Sequence, residues 1–400
     1  MVYQLSEVSE KIDWMNGNAT LYDGKIWSVE GGKTRFSDDW GDTFTELTNN
    51  LPSYSVGYHT HFTKSGTMIV SKNKDVYRAE APYTDFTYVL GLHTTQSVVR
   101  RWGFTEDNDN TIFMTEYANY PNPEGSGYLN IMYWYKSEDE GLTWTKHDNL
   151  KHTDGKHFHQ LKVDPLTNTL FITTGDDTKR VFKSTNKGES WQEVIPTTYP
   201  SQDSDNINYG GHTGVGFFST GEILWGTDWQ PRNPDTDEYW NWFVRSQGHD
   251  VNSFVYQKME KKYYGMTSDI NTDYYTGEAW TSLSDEFNES DVHPVLMYTK
   301  NKGISWEPLV ELPSESNLVA SGLIAYADNT IKDSPYIFWN IVNYGVVRIS
   351  RDLKPEIPEV KPSNAINDVE FFINQDNKIY KVELFNREGS IKYTSPFVGN

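Results

Sequence analysis

The 400-residue chain carries 35 Lys plus Arg against 56 Asp plus Glu, a net charge of −21, so its surface repels phosphate backbones and anionic headgroups. Neither nucleic acid nor membrane insertion is expected of it. It has no cysteine, which excludes disulfides, thiolate metal sites and a cysteine nucleophile. With 36 % apolar and 15 % aromatic residues it can bury a core, and the weight on aromatics favours closely packed sheets.

The opening MVYQLSEVSEKIDW has neither the basic segment nor the apolar run of a secretion signal. A pattern then recurs along the chain: SDDWGDTF at 37–44, SEDEGLTW at 137–144, STNKGESW at 184–191 and TKNKGISW at 299–306. Each reads Ser/Thr-x-Asp/Asn-x-Gly-x-Thr/Ser-aromatic. The third-position side chain (Asp39, Asp139, Asn186, Asn301) can accept from backbone N–H groups inside a tight turn, and the glycine supplies a positive φ. The aromatic that follows opens a strand. The pattern is a hairpin plug, not an active site.

The boxes start 100, 47 and 115 residues apart, which suits one sheet per 45–55 residues and leaves a hidden sheet in each long interval. Strand patterns fill those gaps. One runs from His59 (HTHFTKSGTMIVSKNKDVYRAEAPYTDFTYV) and another from His212 (HTGVGFFSTGEILWGTDW, then NWFVRS at 241–246). LVASGLIAYADNT and SPYIFWNIVNYGVVRIS, after the last box, make a seventh. A ring of such sheets must leave no open edge, so the N-terminal VYQLS is expected as the outer strand of the last one. DLKPEIPEVKPSN then reads as a Pro-rich linker at 352–362, and DVEFFI, KIYKVELFN and SIKYTSPF as a small C-terminal β segment at 363–400.

The four boxes resemble the Asp-box (BNR) repeat found on the outer hairpins of sialidases and related β-propellers, over about residues 15–350. The resemblance implies an all-β fold, a seven-bladed β-propeller (six blades being the alternative) with a short C-terminal β appendage, the propeller covering 1–351. It does not extend to sialidase chemistry. The Arg-Ile-Pro motif is absent and no arginine occurs before Arg35. A His/Arg-rich mouth looks more like that of the β-propeller polysaccharide lyases, where Arg neutralises a uronate carboxylate and His or Tyr abstracts the adjacent proton.

In a propeller the innermost strand of each blade starts, and the second ends, at the ligand-binding face. That rule gathers His59 and His61, Arg100 and Arg101, His157 and His159, and His212 at strand starts, with Glu116 and Tyr117, Asp176 and Asp177, and Asp228 and Trp229 at strand ends. The expected catalytic set is His157, His159, Arg101, His212, Tyr117 and Glu116. The expected substrate contacts are His59, His61, Arg100, Asp176, Asp228, Trp229 and Trp240, the last in an aromatic insertion with Tyr239 and Trp242. Arg for a carboxylate, His as base, acids for hydroxyls and aromatic faces for sugar rings would suit an acidic polysaccharide.

Each of these residues also has a bland use. A His-x-His pair lies on one strand face and can simply line a channel, Asp176 can cap a turn, and the Trp-rich insertion can be the core of a long hairpin. Arg100 and Arg101 should point to opposite faces, and Arg101 is the one expected inward. His157, His159 and His212 are the candidates for a divalent metal, although no HExxH-type spacing is present. P-loops, nucleophile elbows and dinucleotide fingerprints are also missing. The expected partner is a polysaccharide or cell-surface glycan and the expected location extracellular or virion-associated, as a phage tail or cell-surface protein. The two classes of function are cleavage by lyase or glycosidase chemistry and non-catalytic glycan binding.

Overall fold

The computed structural model describes residues 2–12, 17–53, 57–119, 121, 128–152, 155–175, 180–195, 212–227, 243–246, 266–284, 294–312, 319–323, 325–326, 334–342 and 344–355, with strands at 368–373, 379–385 and 391–396. The chain divides into two compact units, Val2–Pro355 and a second spanning Glu356–Asn400. The described part of the second is one three-stranded antiparallel sheet, Asp368–Ile373, Ile379–Phe385 and Ile391–Pro396. Helix is confined, among the described residues, to Leu5–Val8 and a 3₁₀ turn at Arg101–Gly103. None is long and apolar enough to cross a membrane.

Seven sheets succeed one another in the first unit, each a meander of antiparallel strands. Their innermost strands are Thr20–Tyr22, His59–Phe62, Phe104–Glu106, Phe158–Val163, His212–Phe217, Met266–Thr272 and Val319–Leu323, which define blades 1 to 7. The inner strands touch between blades 1 and 2 and successively from blade 3 to blade 7, and the 3₁₀ turn ahead of Phe104 touches that of blade 2. Ala325–Tyr326, leaving blade 7, pairs in parallel with Thr20–Leu21 of blade 1 and closes the ring on the inside. Both faces of an inner strand meet another blade, so His59–Phe62 and Phe158–Val163 are buried at every position, whereas the outer strand Thr45–Thr48 is mostly exposed. This is why the aromatic content is high. Trp134, Trp225, Trp280 and Trp339 lie fully buried between sheets.

The N-terminus does supply the outer strand of blade 7, but with Ser9–Ile12 on Gly345–Ser350, as in Lys11 opposite Val347. VYQLS is displaced from that role. Tyr3–Gln4 instead adds in parallel to Glu307–Glu311, the outer strand of blade 6, before the turn Leu5–Val8 carries the chain across.

The four repeats occupy the turns between third and fourth strands of blades 1, 3, 4 and 6. In each, the opening hydroxyl accepts from the glycine N–H (Gly41 to Ser37 at 2.7 Å, Gly188 to Ser184 at 2.9 Å). The third residue accepts from the seventh N–H (Thr43 to Asp39 at 2.9 Å, Ser190 to Asn186 at 3.0 Å). Those bonds hold the Asp39 carboxyl near a pKa of about 2, the Thr43 hydroxyl being the largest cause.

The turns also dock each blade on its predecessor. Lys187, fourth in its box, sits 3.1 Å from Asp109 of blade 3, and Lys302 sits 3.1 Å from Glu222 of blade 5. Such surface pairs contribute little singly. The tighter constraint is steric, because a Cβ on Gly188, which has φ of 82°, would overlap the buried ring of Trp134. Gly188→Ala is therefore expected to cost about 1–3 kcal/mol through backbone strain and overpacking, measured as a lowered urea midpoint. An unchanged midpoint would show that the blade 3–blade 4 contact is loose.

Candidate functional site

Arginine enters the channel through a turn, not a strand. Because Arg101–Gly103 is 3₁₀ and Arg100 caps it in extended conformation, the two-residue alternation expected of a strand fails, and both arginines face the same region. Arg101, the one expected inward, does reach across, and Arg100 is not turned to an opposite face. Arg101 crosses the channel: its Nε and Nη2 each lie 2.8 Å from Asp269 Oδ2 on the inner strand of blade 6, and Nη1 donates to the Gly17 carbonyl ahead of blade 1. Its fork is committed to the protein.

Arg100 is the available cation. Its guanidinium lies 5.2 Å from the centre of the Tyr117 ring and 5.7 Å from that of Trp102, and Nη1 is 3.4 Å from His59 Nε2. Its buried Nε has no hydrogen-bond partner, and no carboxylate pairs with it among the described residues. Burial lowers its pKa, partly offset by Tyr117 and reinforced by Arg101. The Trp102 and Tyr117 rings meet edge to face at 5.6 Å, and these three side chains are partly open to solvent.

The histidines lie one layer below. His157 Nδ1 is 3.2 Å from the Ala118 carbonyl, an obligate acceptor, so Nδ1 carries the hydrogen. His157 Nε2 lies 3.2 Å from His159 Nε2. The Tyr117 ring covers His157, centroids 4.3 Å apart. His157 is 0 % and His159 5 % exposed, so both rings are buried, His157 directly beneath Tyr117. Gly175 is required beneath, since any Cβ there would overlap the His159 ring.

A β-bulge recurs where inner and second strands pair in blades 4 to 7. In blade 4 it falls between Phe158 and Leu161, with the Gln160 N–H donating to Thr173 Oγ1 at 3.0 Å. In blade 6 it falls between Thr267 and Ile270 and turns Asp269 toward Arg101. Bulges re-aim side chains in this way. Asp269 and Lys162 stand beside these residues, and the sequence did not single them out. Lys162 Nζ donates to the Arg101 and Phe104 carbonyls, both at 3.3 Å. Burial brings its pKa down to about 8, opposed by Asp269 and aided by Arg101. Burial likewise pushes the Asp269 carboxyl up, with Arg101 and Lys162 pulling it back. His59 is held well below its usual value by burial, then by Arg100, His61, Arg101 and Lys72. The mouth of an acidic protein is thus locally cationic.

Two expected members do not reach the mouth. The Glu116 side chain is fully buried, accepting from the His93 N–H at 2.9 Å, from Ser97 Oγ and from Tyr135 OH at 2.8 Å. Those bonds satisfy its carboxylate within the wedge between blades 2 and 3. His61 donates to the Val99 carbonyl at 3.1 Å and stacks on Phe104 at 4.6 Å, so it packs between the same two blades. His212 opens the inner strand of blade 5, and its side chain lies outside the described residues, as do Asp176, Asp177, Asp228, Trp229, Tyr239, Trp240 and Trp242. Among the described residues no three His, Asp or Glu side chains gather as a metal would require.

No protein-family model and no curated protein matches the sequence. Solved structures do. A streptogramin B lyase matches with a TM-score of 0.50 at 13 % identity, over 86 % of this chain and 96 % of that one. The WD40 repeats of RRP9 match with 0.53 at 9 % identity, over 88 % and 99 %. The chain is a β-propeller. A third match is PorZ of Porphyromonas gingivalis, described as an essential bacterial surface component of the type-IX secretion system. It gives a TM-score of 0.54 at 10 % identity, over 96 % of this propeller chain but only 54 % of PorZ. At such identities the likeness is one of fold, and propellers serve both enzymes and binding proteins.

Proposed function

We propose that this propeller takes the carboxylate of an acidic, uronate-containing polysaccharide at its channel mouth and cleaves the chain there by elimination. The observation that carries the proposal is Arg100, a largely buried guanidinium with no carboxylate partner among the described residues, flanked by two partly open aromatic rings. A desolvated, unpaired cation is costly in a folded protein. A ligand carboxylate would satisfy it with a charge-assisted pair, while Trp102 and Tyr117 offer faces to a sugar ring.

Chemistry follows from what stands beside it. Hydrolysis of the common kind needs two carboxylic groups astride the bond, and of the described acids Asp269 is committed to Arg101 while Glu116 is buried in the wedge behind the mouth. Elimination needs a neutralised carboxylate and one base. Tyr117 is a partly exposed acid–base side chain that lies against both Arg100 and His157. Its ionised oxygen would take the proton next to the uronate carboxylate. The C–H electrons then form the ring double bond, and the glycosidic C–O pair leaves with the departing oxygen, which the tyrosine reprotonates. No water is consumed. A non-catalytic glycan binder is the second reading, favoured by the burial of His157 and His159. The four hydroxyl-capped turns support placing the chain with the Asp-box propellers, and a surface glycan as partner would go with an extracellular or virion-associated setting.

Incubation with polygalacturonate, alginate and hyaluronan tests this. Elimination is expected to give rising ultraviolet absorbance from an unsaturated uronide, lost in Tyr117→Phe. New reducing ends without absorbance would overturn elimination in favour of hydrolysis, and saturable binding with neither would leave the binder.

A further inference from the structure

A second cationic feature lies on the rim of blade 3. The ring of Tyr133 carries two lysines, Lys146 Nζ at 3.5 Å and Lys151 Nζ at 4.5 Å from its centre, and Lys151 also donates to the Tyr133 hydroxyl at 2.9 Å. The His93 ring stands 5.0 Å from the same ring. Neither lysine meets a carboxylate among the described residues, although the chain has 56 acidic residues to choose from. Two like charges crowding one ring repel each other, and an anion between them would relieve that repulsion.

The place matters as much as the charge. The Tyr133 carbonyl accepts from the Glu116 N–H at 3.1 Å, so Tyr133 lies one strand outward from Tyr117. The chain segment leading to His157 passes the same rim, where Lys156 Nζ sits 3.9 Å from the centre of the exposed Tyr128 ring. Lysine–aromatic pairs thus recur at Tyr133 and Tyr128, on the strand next outward from Tyr117 and the segment before it.

We infer that Tyr133 with Lys146, Lys151 and His93 is a second anion subsite, and that the ligand is a polymer carrying carboxylates on successive sugars. The inference rests on the reading of the mouth as an acidic-saccharide site. The subsite holds a distal carboxylate while Arg100 holds the one beside the reacting sugar.

The test is calorimetric titration of wild type, Arg100→Gln and the double variant Lys146→Gln/Lys151→Gln. The ligands are monomeric galacturonate and whichever of polygalacturonate, alginate and hyaluronan the wild type binds best. The double variant is expected to bind the polymer roughly three- to tenfold more weakly, with a flatter salt dependence, while its galacturonate affinity stays at the wild-type value. Both lysines are exposed, so an unchanged melting temperature is expected to accompany the loss. Polymer affinity and salt dependence equal to wild type would overturn the subsite and leave the mouth reading standing. Arg100→Gln that binds monomer and polymer as wild type does, or a wild type that binds none of the three polymers, would overturn the mouth reading itself. A single-stranded oligonucleotide bound as tightly as the polyuronate, and lost with the same lysines, would overturn the saccharide assignment.

Discussion

Arg100→Gln is expected to weaken binding of a uronate oligosaccharide by roughly 10- to 100-fold, the range for losing a charge-assisted hydrogen-bonded pair in a partly desolvated site, while the melting temperature holds or rises. The second half of that expectation separates ligand recognition from architecture. The Arg100 side chain lies over two rings and, among the described residues, has only a 3.4 Å contact to His59 as a hydrogen bond, so its removal relieves an uncompensated desolvation. Arg101→Gln should behave oppositely. It would leave Asp269 buried without its fork, a loss on the order of 3–5 kcal/mol, and thereby unfold the channel's own brace. If Arg100→Gln lowered stability and spared binding, Arg100 would be a structural residue.

Acid is expected to unfold the protein across a window set by His61. Burial is the largest cause of its pKa falling to about 3, reinforced by Lys162 and opposed by the bond to Val99. Below pH 6.5 the unfolded chain takes up a proton on this ring that the folded chain refuses until about pH 3. Stability is therefore full above pH 6.5 and falls as pH drops through the window, by up to about 5 kcal/mol in total from this residue. His59 acts in the same direction. Urea midpoints measured from pH 7 down to pH 4 should fall less steeply in His61→Gln, whose amide can still donate to Val99. Parallel curves for variant and wild type would remove His61 from the account.

How far the sequence could be read depends on what kind of signal each feature leaves. The four turns were legible because hydroxyl, Asp or Asn, and Gly must recur at fixed offsets for the same hydrogen bonds to form, and the blades between them followed from strand patterns such as that starting at His59. The His157–His159 neighbourhood was legible too, since residues two apart on a strand face one way, and their nitrogens do meet. The reading broke where the backbone leaves the two-residue period. The 3₁₀ turn brought Arg100 and Arg101 toward the same ring, Trp102, where strand alternation would have set them on opposite faces. The bulge in blade 6 brought in Asp269, 168 residues from its partner, and no local pattern encodes a contact at that distance. Glu116 failed for a different reason: a carboxylate at a strand end looks the same in sequence whether water or the Ser97 and Tyr135 hydroxyls solvate it. His61 is similar, because stacking on Phe104 belongs to the wedge between blades and leaves no trace in spacing.

The pairing of Lys11 with Val347 sets an order of events during synthesis. Ser9–Ile12 is made well before its partner Gly345–Ser350, with six blades between them in sequence, so this edge must wait, unpaired and tethered, while those blades form. The equilibrium cost of that long tether is modest, because closure entropy grows only with the logarithm of loop length. The kinetic exposure is not, since an unsatisfied strand edge recruits whatever edge is nearest, including that of another nascent copy. Tyr3–Gln4, lodged beside blade 6 in parallel, gives the waiting end a first foothold one blade before its final berth, like a belt tongue passed through a keeper ahead of the buckle.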